Sequence, residues 1–268
     1  MKRLIIVFSI FLVSVIPGSL LYAQDVYPFL PKENLRLQAY YNLGPFWVHA
    51  GDVELTADTI TYDGKKCINL VATGYSLKKW SFIFSLTDHY HAIVDLNGFK
   101  PLYYEKNTME GGFWIHNIYH FDWHKKLLKV FTESIRNPAK DTSYYLDRQL
   151  FDVLSATYYL RTLDPRKLHP GDTIPIPLIS DGQFVTYNIV YDGPGDLKRN
   201  KKRIACSVYS ANITNSTFFE NGNSLKVYVT DDDRQIVIYG EAKIIVGSIK
   251  IYQEGYQNMR PEKQKDGE

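Results

Sequence analysis

The amino-acid sequence predicts a mainly β protein: a single antiparallel β domain, curved into a barrel or half-barrel, with one main helix at about 147–163. Two observations predict this fold. The chain contains 21 tyrosines and 14 phenylalanines in 268 residues, and aromatic residues suit the half-buried surface of a pleated sheet. Short stretches that alternate between apolar and polar residues recur between Gly, Pro, Asn and Asp, which is typical of many short strands joined by turns.

The first 24 residues have the layout of a secretory signal peptide. Lys2 and Arg3 give a positive head, an apolar run broken by two serines follows, and Ala23 is a small residue suited to cleavage. The run is shorter than the roughly 20 apolar residues that span a bilayer. We therefore expect cleavage within a residue or two of Ala23 and export to the periplasm or beyond.

The exported β-rich domain is expected over 25–258, followed by a polar, disordered tail over 259–268. Its first strand is predicted where Leu35 and Leu37 alternate with polar residues, and its second strand around Val53. Asp-Gly and Asn-Gly pairs favour tight hairpin turns, and they are found at 63–64, 97–98 and 181–182. Further strands are predicted at 66–73, 101–106, 112–121, 173–180, 184–192, 203–212, 225–231, 235–240 and 243–253.

The main helix is predicted between Asp147 and Leu163. Its packing face is expected to carry four residues at helical spacing: Leu150, Val153, Leu154 and Tyr158. The residue before a proline is biased away from the helical conformation, so the helix should end by Asp164. Residues 80–95 are apolar and fit either a strand or a helix, and 192–202 are predicted to form a charged loop.

The charge balance argues against nucleic acid as a partner. Lys2 and Arg3 are two of the 31 basic residues, which leaves 29 basic against 29 acidic residues in the exported chain. No basic field is therefore available for phosphates.

Cys67 and Cys206 could form a disulfide in an oxidising compartment, but Cys206 alternates with apolar residues and Cys67 with more polar ones. Two separate thiols are favoured.

The C-terminal part of the chain carries a specific resemblance to a known family. A strand, an acidic turn with Arg234 and an Ile-Val-Gly-Ser-Ile strand from Ile245 resemble the closing signature of the bacterial exported family catalogued as domain-of-unknown-function 3108. Three further stretches resemble that family: residues 48–55, a middle block with Asp88, Tyr90, Asp95, Pro101 and 121–122, and residues 152–156. The resemblance extends over about 33–253.

This resemblance implies an exported β-rich protein of the Gram-negative envelope, in a family without an assigned activity. The chain departs from the family pattern around 192–203, where Gly193, Pro194 and Gly195 stand in place of a usual Arg-Glu pair, so no role is carried over to that position. The chain also lacks the nucleophile elbow, the His-Glu-x-x-His zinc motif, the dinucleotide-binding glycines and a Cys-x-x-Cys pair. We therefore expect neither an enzyme nor a cofactor.

The stretch from Gly112 to His124 holds the candidate ligand-binding residues. On a strand, its odd positions form an apolar face, and its even positions form a second face with Trp114, His116 and His120. We expect the odd face to pack in the core and the even face to line a groove for an amphipathic or sugar ligand. The alternatives are a plain outer face and a metal site.

A metal site is disfavoured on geometric grounds. Residues four apart on a strand lie about 13 Å apart, which is too far for His116 and His120 to share one ion. His89 and His91 are expected to form a solvated strand end, and the acidic run 231–233 a hairpin turn rather than a calcium loop. No metal ligand is therefore expected.

A curved sheet with a helix against it leaves a concave apolar face, which suits an apolar or amphipathic ligand. We therefore expect non-enzymatic binding of a lipid or glycan, or a role in envelope assembly. Two alternatives remain open: a structural or interaction protein with a filled core, and a polysaccharide hydrolase, whose carboxylate pair needs no local motif. An integral outer-membrane barrel is disfavoured, because a helix interrupts the strands and the tail is charged.

Overall fold

The structure is a computed structural model that describes residues 27–258 except for 44, 81–84, 200, 213–223 and 244–246. The predicted signal peptide and tail lie outside the described residues. Within them, helix α1 spans Val153–Leu160, and two short 3-10 helices span Lys78–Trp80 and Pro165–Lys167. The strands are β1 (Glu33–Leu43), β2 (Phe46–Tyr62), β3 (Lys65–Ser76), β4 (Leu86–Asp95), β5 (Lys100–Glu110), β6 (Phe113–Asp122), β7 (Leu127–Ser134), β8 (Lys140–Tyr145), β9 (Thr173–Ser180), β10 (Gln183–Arg199), β11 (Lys202–Asn212), β12 (Ser224–Thr230), β13 (Val237–Lys243) and β14 (Ser248–Gln257).

These fourteen strands form one antiparallel sheet. Each strand pairs with the next in sequence except for β8, and β14 returns to pair with β1. The sheet edges are therefore β8 and β9, and no ladder joins the described residues of these two strands. The predicted antiparallel β domain is confirmed, as an open barrel-like sheet that does not close on itself.

Two predicted hairpin turns follow directly from their Asp-Gly pairs. Asp63 and Asp181 both have a φ of 48°, and Gly64 and Gly182 both have a φ of 73°. Positive φ at both central residues defines the hairpin turn whose twist matches that of the flanking strands. The sequence therefore fixes the register of β2 against β3, and of β9 against β10, at the turn itself.

The main core lies on one face of β3–β7, which we call the concave side. Leu70, Val94, Tyr104, Tyr119 and Leu128 each contribute a buried side chain to it from a different strand. Helix α1 and strand β9 pack against this face and fill the middle of the sheet's curve.

Helix α1 is shorter than the predicted span of 147–163, and its packing face differs in one residue. The backbone of Phe151 bonds to β9 instead of joining the helix: its N–H donates to the Pro177 carbonyl at 3.0 Å, and its carbonyl accepts from Ile179 N–H at 2.9 Å. Asp152 then caps the helix by accepting from Ser155 N–H at 2.8 Å.

Three of the four residues predicted to form the packing face of this helical segment are buried: Leu150, Leu154 and Tyr158. Val153 is 36% exposed, so its assignment to the packing face is wrong. As the first helical residue after the cap, it starts the helix on the side turned away from the sheet.

Other segments also differ from the sequence prediction, which contains no strand at the positions of β7 and β8. The predicted loop at 192–202 is largely strand, because β10 continues to Arg199 after a bulge between Tyr191 and Gly193. Of the predicted strand over 243–253, Lys243 belongs to β13, 244–246 lie outside the described residues, and β14 begins at Ser248. The ambiguous stretch from residue 80 becomes strand β4 at Leu86. Both cysteines are buried free thiols, as predicted.

A buried ion pair joins the start of β1 to the end of helix α1. Arg161, at the helix C-terminus, donates to Glu33 Oε1 at 2.5 Å and to Glu33 Oε2 at 3.1 Å. The same guanidinium donates to the Arg234 carbonyl at 3.1 Å, in the connection between β12 and β13. The Glu33 and Arg161 side chains are only 0% and 7% exposed, so the pair is shielded from water.

We predict that Leu154→Ala lowers the free energy of unfolding by about 2–5 kcal/mol, the range for removing a buried leucine side chain. Val153→Ala, one position earlier and exposed, should change it by less than about 0.5 kcal/mol. Urea denaturation of both variants measures the difference. Equal and small losses would show that the helix does not pack as described.

We predict that Arg161→Ala costs about 3–5 kcal/mol, because it leaves the Glu33 carboxylate buried without its partner. Arg166→Ala is the matched control. Arg166 bonds to Asp164 at 2.7 Å, but its side chain is 75% exposed, so its loss should cost far less stability than the loss of Arg161. Similar values for the two variants in chemical denaturation would contradict the assigned role of the buried pair.

Candidate functional site

The structure divides β6 into the two predicted faces. Asn117, Tyr119 and Phe121 are buried on the concave side, so the predicted core face is confirmed. Trp114 and His116 are half-buried and point to the opposite face of the sheet, together with the exposed His120. The candidate ligand-facing residues therefore lie on the convex side, away from the core.

On this convex side, two residues of β5 bring the histidines into a single network that we call the outer histidine cluster. Its members are His91, Tyr103, Glu105, His116 and His120. Glu105 contacts His116 Nε2 at 3.0 Å through Oε1 and accepts from the Tyr103 hydroxyl at 2.8 Å through Oε2. The Tyr103 ring lies 5.5 Å from the His91 ring and 5.2 Å from the His120 ring.

The electrostatics of the outer histidine cluster favour a charged Glu105 and a neutral His91. Burial raises the pKa of Glu105, but hydrogen bonds from His116 and Tyr103 outweigh it and hold that pKa below its ordinary value. Burial lowers the pKa of His91, with Glu105 opposing this effect and His89 adding to it. The cluster therefore presents a carboxylate between aromatic rings.

The outer histidine cluster does not converge as a metal site would. In the part of the chain that the structure describes, no three His, Cys, Asp or Glu side chains come close enough to hold one ion. His91 is engaged instead by Asn69 at 2.6 Å. A shallow surface depression adjoins His120, and its lining also includes Lys125 and Lys129. It does not reach Trp114.

Sequence reasoning missed Tyr103 and Glu105. They alternate on β5, and their convex-side position follows once β5 and β6 are paired. Tyr103 then lies opposite His120. The missing information was the pairing of the two strands, which the hairpin turn at Gly111 and Gly112 sets in the structure.

A second polar group, which sequence reasoning also missed, lies on the concave side beside the core. We call it the concave polar cluster; its members are Asp88, Lys106, Glu110, Asn117 and Asp181. Lys106 Nζ and Asn117 Nδ2 each donate to Asp181 Oδ1 at 2.8 Å. These bonds hold the β9–β10 turn against β5 and β6, across the concave side.

A further bond fixes the same turn. Gly182 N–H donates to the Tyr119 hydroxyl at 3.0 Å. The turn residues Asp181 and Gly182 are separated from their partners on β5 and β6 by more than 60 residues of sequence. No local pattern could therefore reveal this contact.

Asp88 is the unusual member of the concave polar cluster. Among the described residues, its Oδ1 atom is shielded from water and has no hydrogen-bond partner. Burial, with the neighbouring Glu110 as a second cause, raises the pKa of Asp88 to about 7, against the opposing effect of Lys106. Burial likewise raises the pKa of Glu110. Two carboxyl groups are thus held together in a partly dehydrated site.

Apolar side chains lie beside Asp88, and at Gly74 there is room for a Cβ atom. A Cβ atom placed on Gly74 would meet the side chains of Leu86, Asp88 and Val53 at 3.6–3.8 Å, which is ordinary contact. The site therefore combines aliphatic surface with a carboxyl group that has an unused acceptor atom. Such a combination is typical of sites that hold amphipathic molecules.

The remaining sequence candidates have structural partners. Asp232 accepts from Arg234 N–H and from the Thr230 hydroxyl, both at 2.9 Å. The acidic run 231–233 therefore organises the connection between β12 and β13, as expected for a turn. His89 is exposed on β4, as expected, but His91 is half-buried within the same strand, so the expectation of a solvated strand end is wrong for His91.

The comparisons with known proteins agree with the resemblance found in the sequence. Residues 36–254 match the family model described as protein of unknown function DUF3108. No curated protein matches the chain. A crystal structure of a β-barrel-like protein of domain of unknown function DUF1849 from Brucella abortus is similar in fold. Its TM-score is 0.52 at 6% sequence identity, over 87% of this chain and 99% of that chain; at this identity the likeness concerns the fold alone.

We predict a pH-dependent effect of Asp88→Asn on stability. Because the pKa of Asp88 is raised to about 7 in the folded protein, the native state binds its proton more tightly than the unfolded chain does. Asp88 therefore costs stability as pH rises from about 4 to about 7. The melting temperature of Asp88→Asn relative to wild type should increase between about pH 5 and pH 8.

Thermal melting of both proteins across this pH range measures the effect. Asp63→Asn is the control, since Asp63 is exposed in a turn where asparagine is equally tolerated. This control shows how much of any change follows from removing one exposed aspartate charge. A constant difference for Asp88→Asn would contradict the raised pKa.

Proposed function

This chain belongs to the DUF3108 family, and we propose that it is an exported, non-enzymatic protein of the Gram-negative envelope that binds an amphipathic ligand on the concave side of its open barrel. The observation that carries the proposal is the unpartnered Asp88 oxygen beside an apolar wall. No described helix is long and apolar enough to cross a membrane. The support for export is the signal-peptide layout of the N-terminal segment.

The chemistry of the concave polar cluster defines what the ligand should offer. A buried acceptor without a donor costs free energy, and a hydroxyl, amine or amide N–H of a ligand would remove that cost at Asp88. Lys106 is held by Asp181, and only 14% of its side chain is exposed, so it adds a fixed positive charge to the same site. The aliphatic part of the ligand would lie on Val53 and Leu86.

The filled part of the concave side limits where such a ligand can bind. Helix α1 and β9 occupy the centre of the curve, where Phe151 and Tyr158 are 2% and 1% exposed. Asp88 and Glu110 lie away from these two buried residues, near the start of β4 and at the end of β5. We therefore place the ligand at that end and not in the centre of the barrel.

The test is native mass spectrometry of the protein isolated from its own envelope, comparing wild type with two variants. Gly74→Val places a larger side chain between Leu86 and Asp88, so it should reduce the co-purified ligand by about tenfold or more. The Trp114→Ala, His120→Ala double variant changes the convex side and should retain the ligand. The wild-type mass should also correspond to cleavage near Ala23.

Other results of this experiment would support a different site, a structural role or a protein that is not exported. Loss of ligand only in the double variant would move the site to the convex face predicted from the sequence. A wild-type protein without any ligand would favour a structural role with a filled core. A mass that includes the first 24 residues would contradict export. Melting temperatures within a degree or two of wild type ensure that the variants are folded.

A further inference from the structure

The turns at one end of the sheet carry exposed aromatic side chains. Strands β3, β2, β1, β14 and β13 are consecutive neighbours in the sheet, so the last residues of β3, β1 and β13 and the first residues of β2 and β14 lie side by side along one edge that is formed by strand ends. At this edge Phe46, Trp47 and Tyr75 are 70%, 42% and 51% exposed. We call these three side chains, together with Lys79 and Lys250, the aromatic rim.

Lysines accompany the aromatic rings of the rim. Lys250 Nζ lies 4.3 Å from the centre of the Trp47 ring. Lys79 is exposed, and its Nζ lies 5.7 Å from the Trp80 ring. Each ammonium group therefore sits next to an aromatic surface at the end of the strands.

Two hydrogen bonds to backbone carbonyls of β2 hold the segment after β3 in place. Trp80 Nε1–H donates to the His49 carbonyl at 2.8 Å, and Leu77 N–H donates to the Ala50 carbonyl at 2.7 Å. These bonds tie the segment after β3 to β2, so that Lys79 and the start of β2 are presented side by side. The rim is thus a fixed surface of the fold.

Near this edge, the strands β3, β2, β1, β14 and β13 and the 3-10 helix after β3 carry more basic than acidic residues. Lys78, Lys79 and Lys243 are exposed near its turns. Two carboxylates on the same strands are engaged by neighbours: Asp52 contacts His49 Nε2 at 2.8 Å, and Glu241 accepts from the Tyr239 hydroxyl. On these five strands, an anionic surface would therefore meet lysines beside aromatic rings, and carboxylates that are hydrogen-bonded to their neighbours.

We propose that the aromatic rim docks this protein on an anionic lipid surface, with Phe46 and Trp47 entering the interface and the lysines contacting lipid phosphates. Trp and Tyr favour the membrane–water interface, and basic residues near it are attracted to anionic lipids. Lysine is depleted from protein–protein interfaces, so the aromatic–lysine composition fits a lipid surface better than a second protein chain. The proposal does not depend on the ligand at Asp88.

The experiment is co-sedimentation of the chain over 25–268 with vesicles of phosphatidylcholine alone or with about 40% phosphatidylglycerol. This chain contains every described element and lacks the apolar N-terminal run, which would itself bind lipid. Binding to the anionic vesicles should be about tenfold stronger than to neutral ones, and should weaken as salt is raised. Equal binding to both, or none, overturns the proposal.

Two variants test the rim itself. Phe46→Ser, Trp47→Ser should reduce vesicle binding by about tenfold or more. Lys79→Glu, Lys250→Glu should abolish the preference for anionic vesicles. Unchanged binding in either variant, with unchanged melting temperature, overturns the assignment.

The matched control is Tyr145→Ser, Tyr256→Ser. These tyrosines are 69% and 54% exposed at the opposite end of the strands, and Lys126 Nζ lies 6.0 Å from the Tyr145 ring. This variant should bind vesicles like wild type. If size-exclusion chromatography shows instead that wild type self-associates through the rim without binding lipid, a second copy of the chain is the occupant and the lipid proposal is wrong.

Discussion

The contact between Glu33 and Arg161 is the constraint on which the arrangement of the sheet and the helix depends. It joins two residues 128 positions apart, at the start of β1 and the end of α1, and Arg161 also reaches the Arg234 carbonyl. The guanidinium lies 5.6 Å from the Phe29 ring and 5.3 Å from the Tyr158 ring. One side chain thus connects the N-terminal lead-in, the helix and the C-terminal half of the sheet.

This connection matters because the sheet is open. A closed barrel has no free edges, but here β8 and β9 do not pair, and the chain between them must cover the gap. Helix α1 covers this gap only while Arg161 holds its C-terminal end in place. With Arg161 fixed, Leu154 and Tyr158 lie in the core, and the Phe151 backbone bonds to β9. The curvature of the sheet then brings Asp181, in the β9–β10 turn, to Lys106 and Asn117, away from Arg161.

Whether a feature could be predicted from the sequence depends on how far apart in the chain its interacting residues are. The turns at Asp63 and Asp181 and the core face of β6 depend on neighbouring residues, and each was predictable. The start of the helix was not, because the Phe151 backbone bonds to Pro177 and Ile179, and no helical periodicity records a competing strand. The concave polar cluster was likewise hidden, since Lys106 and Asp181 are 75 residues apart.

The two proposed binding surfaces are related by position. Asp88 lies near the start of β4 and Glu110 at the end of β5, which is the same end of the strands as Phe46 and Trp47. The buried ion pair lies at the opposite end, where β1 begins. An amphipathic molecule that enters the concave side from a lipid surface would therefore meet the rim first and the unpartnered Asp88 oxygen next. Because different residues carry the two surfaces, each proposal stands or fails by its own variants, and their shared end gives a physical reason for both to occur in one molecule.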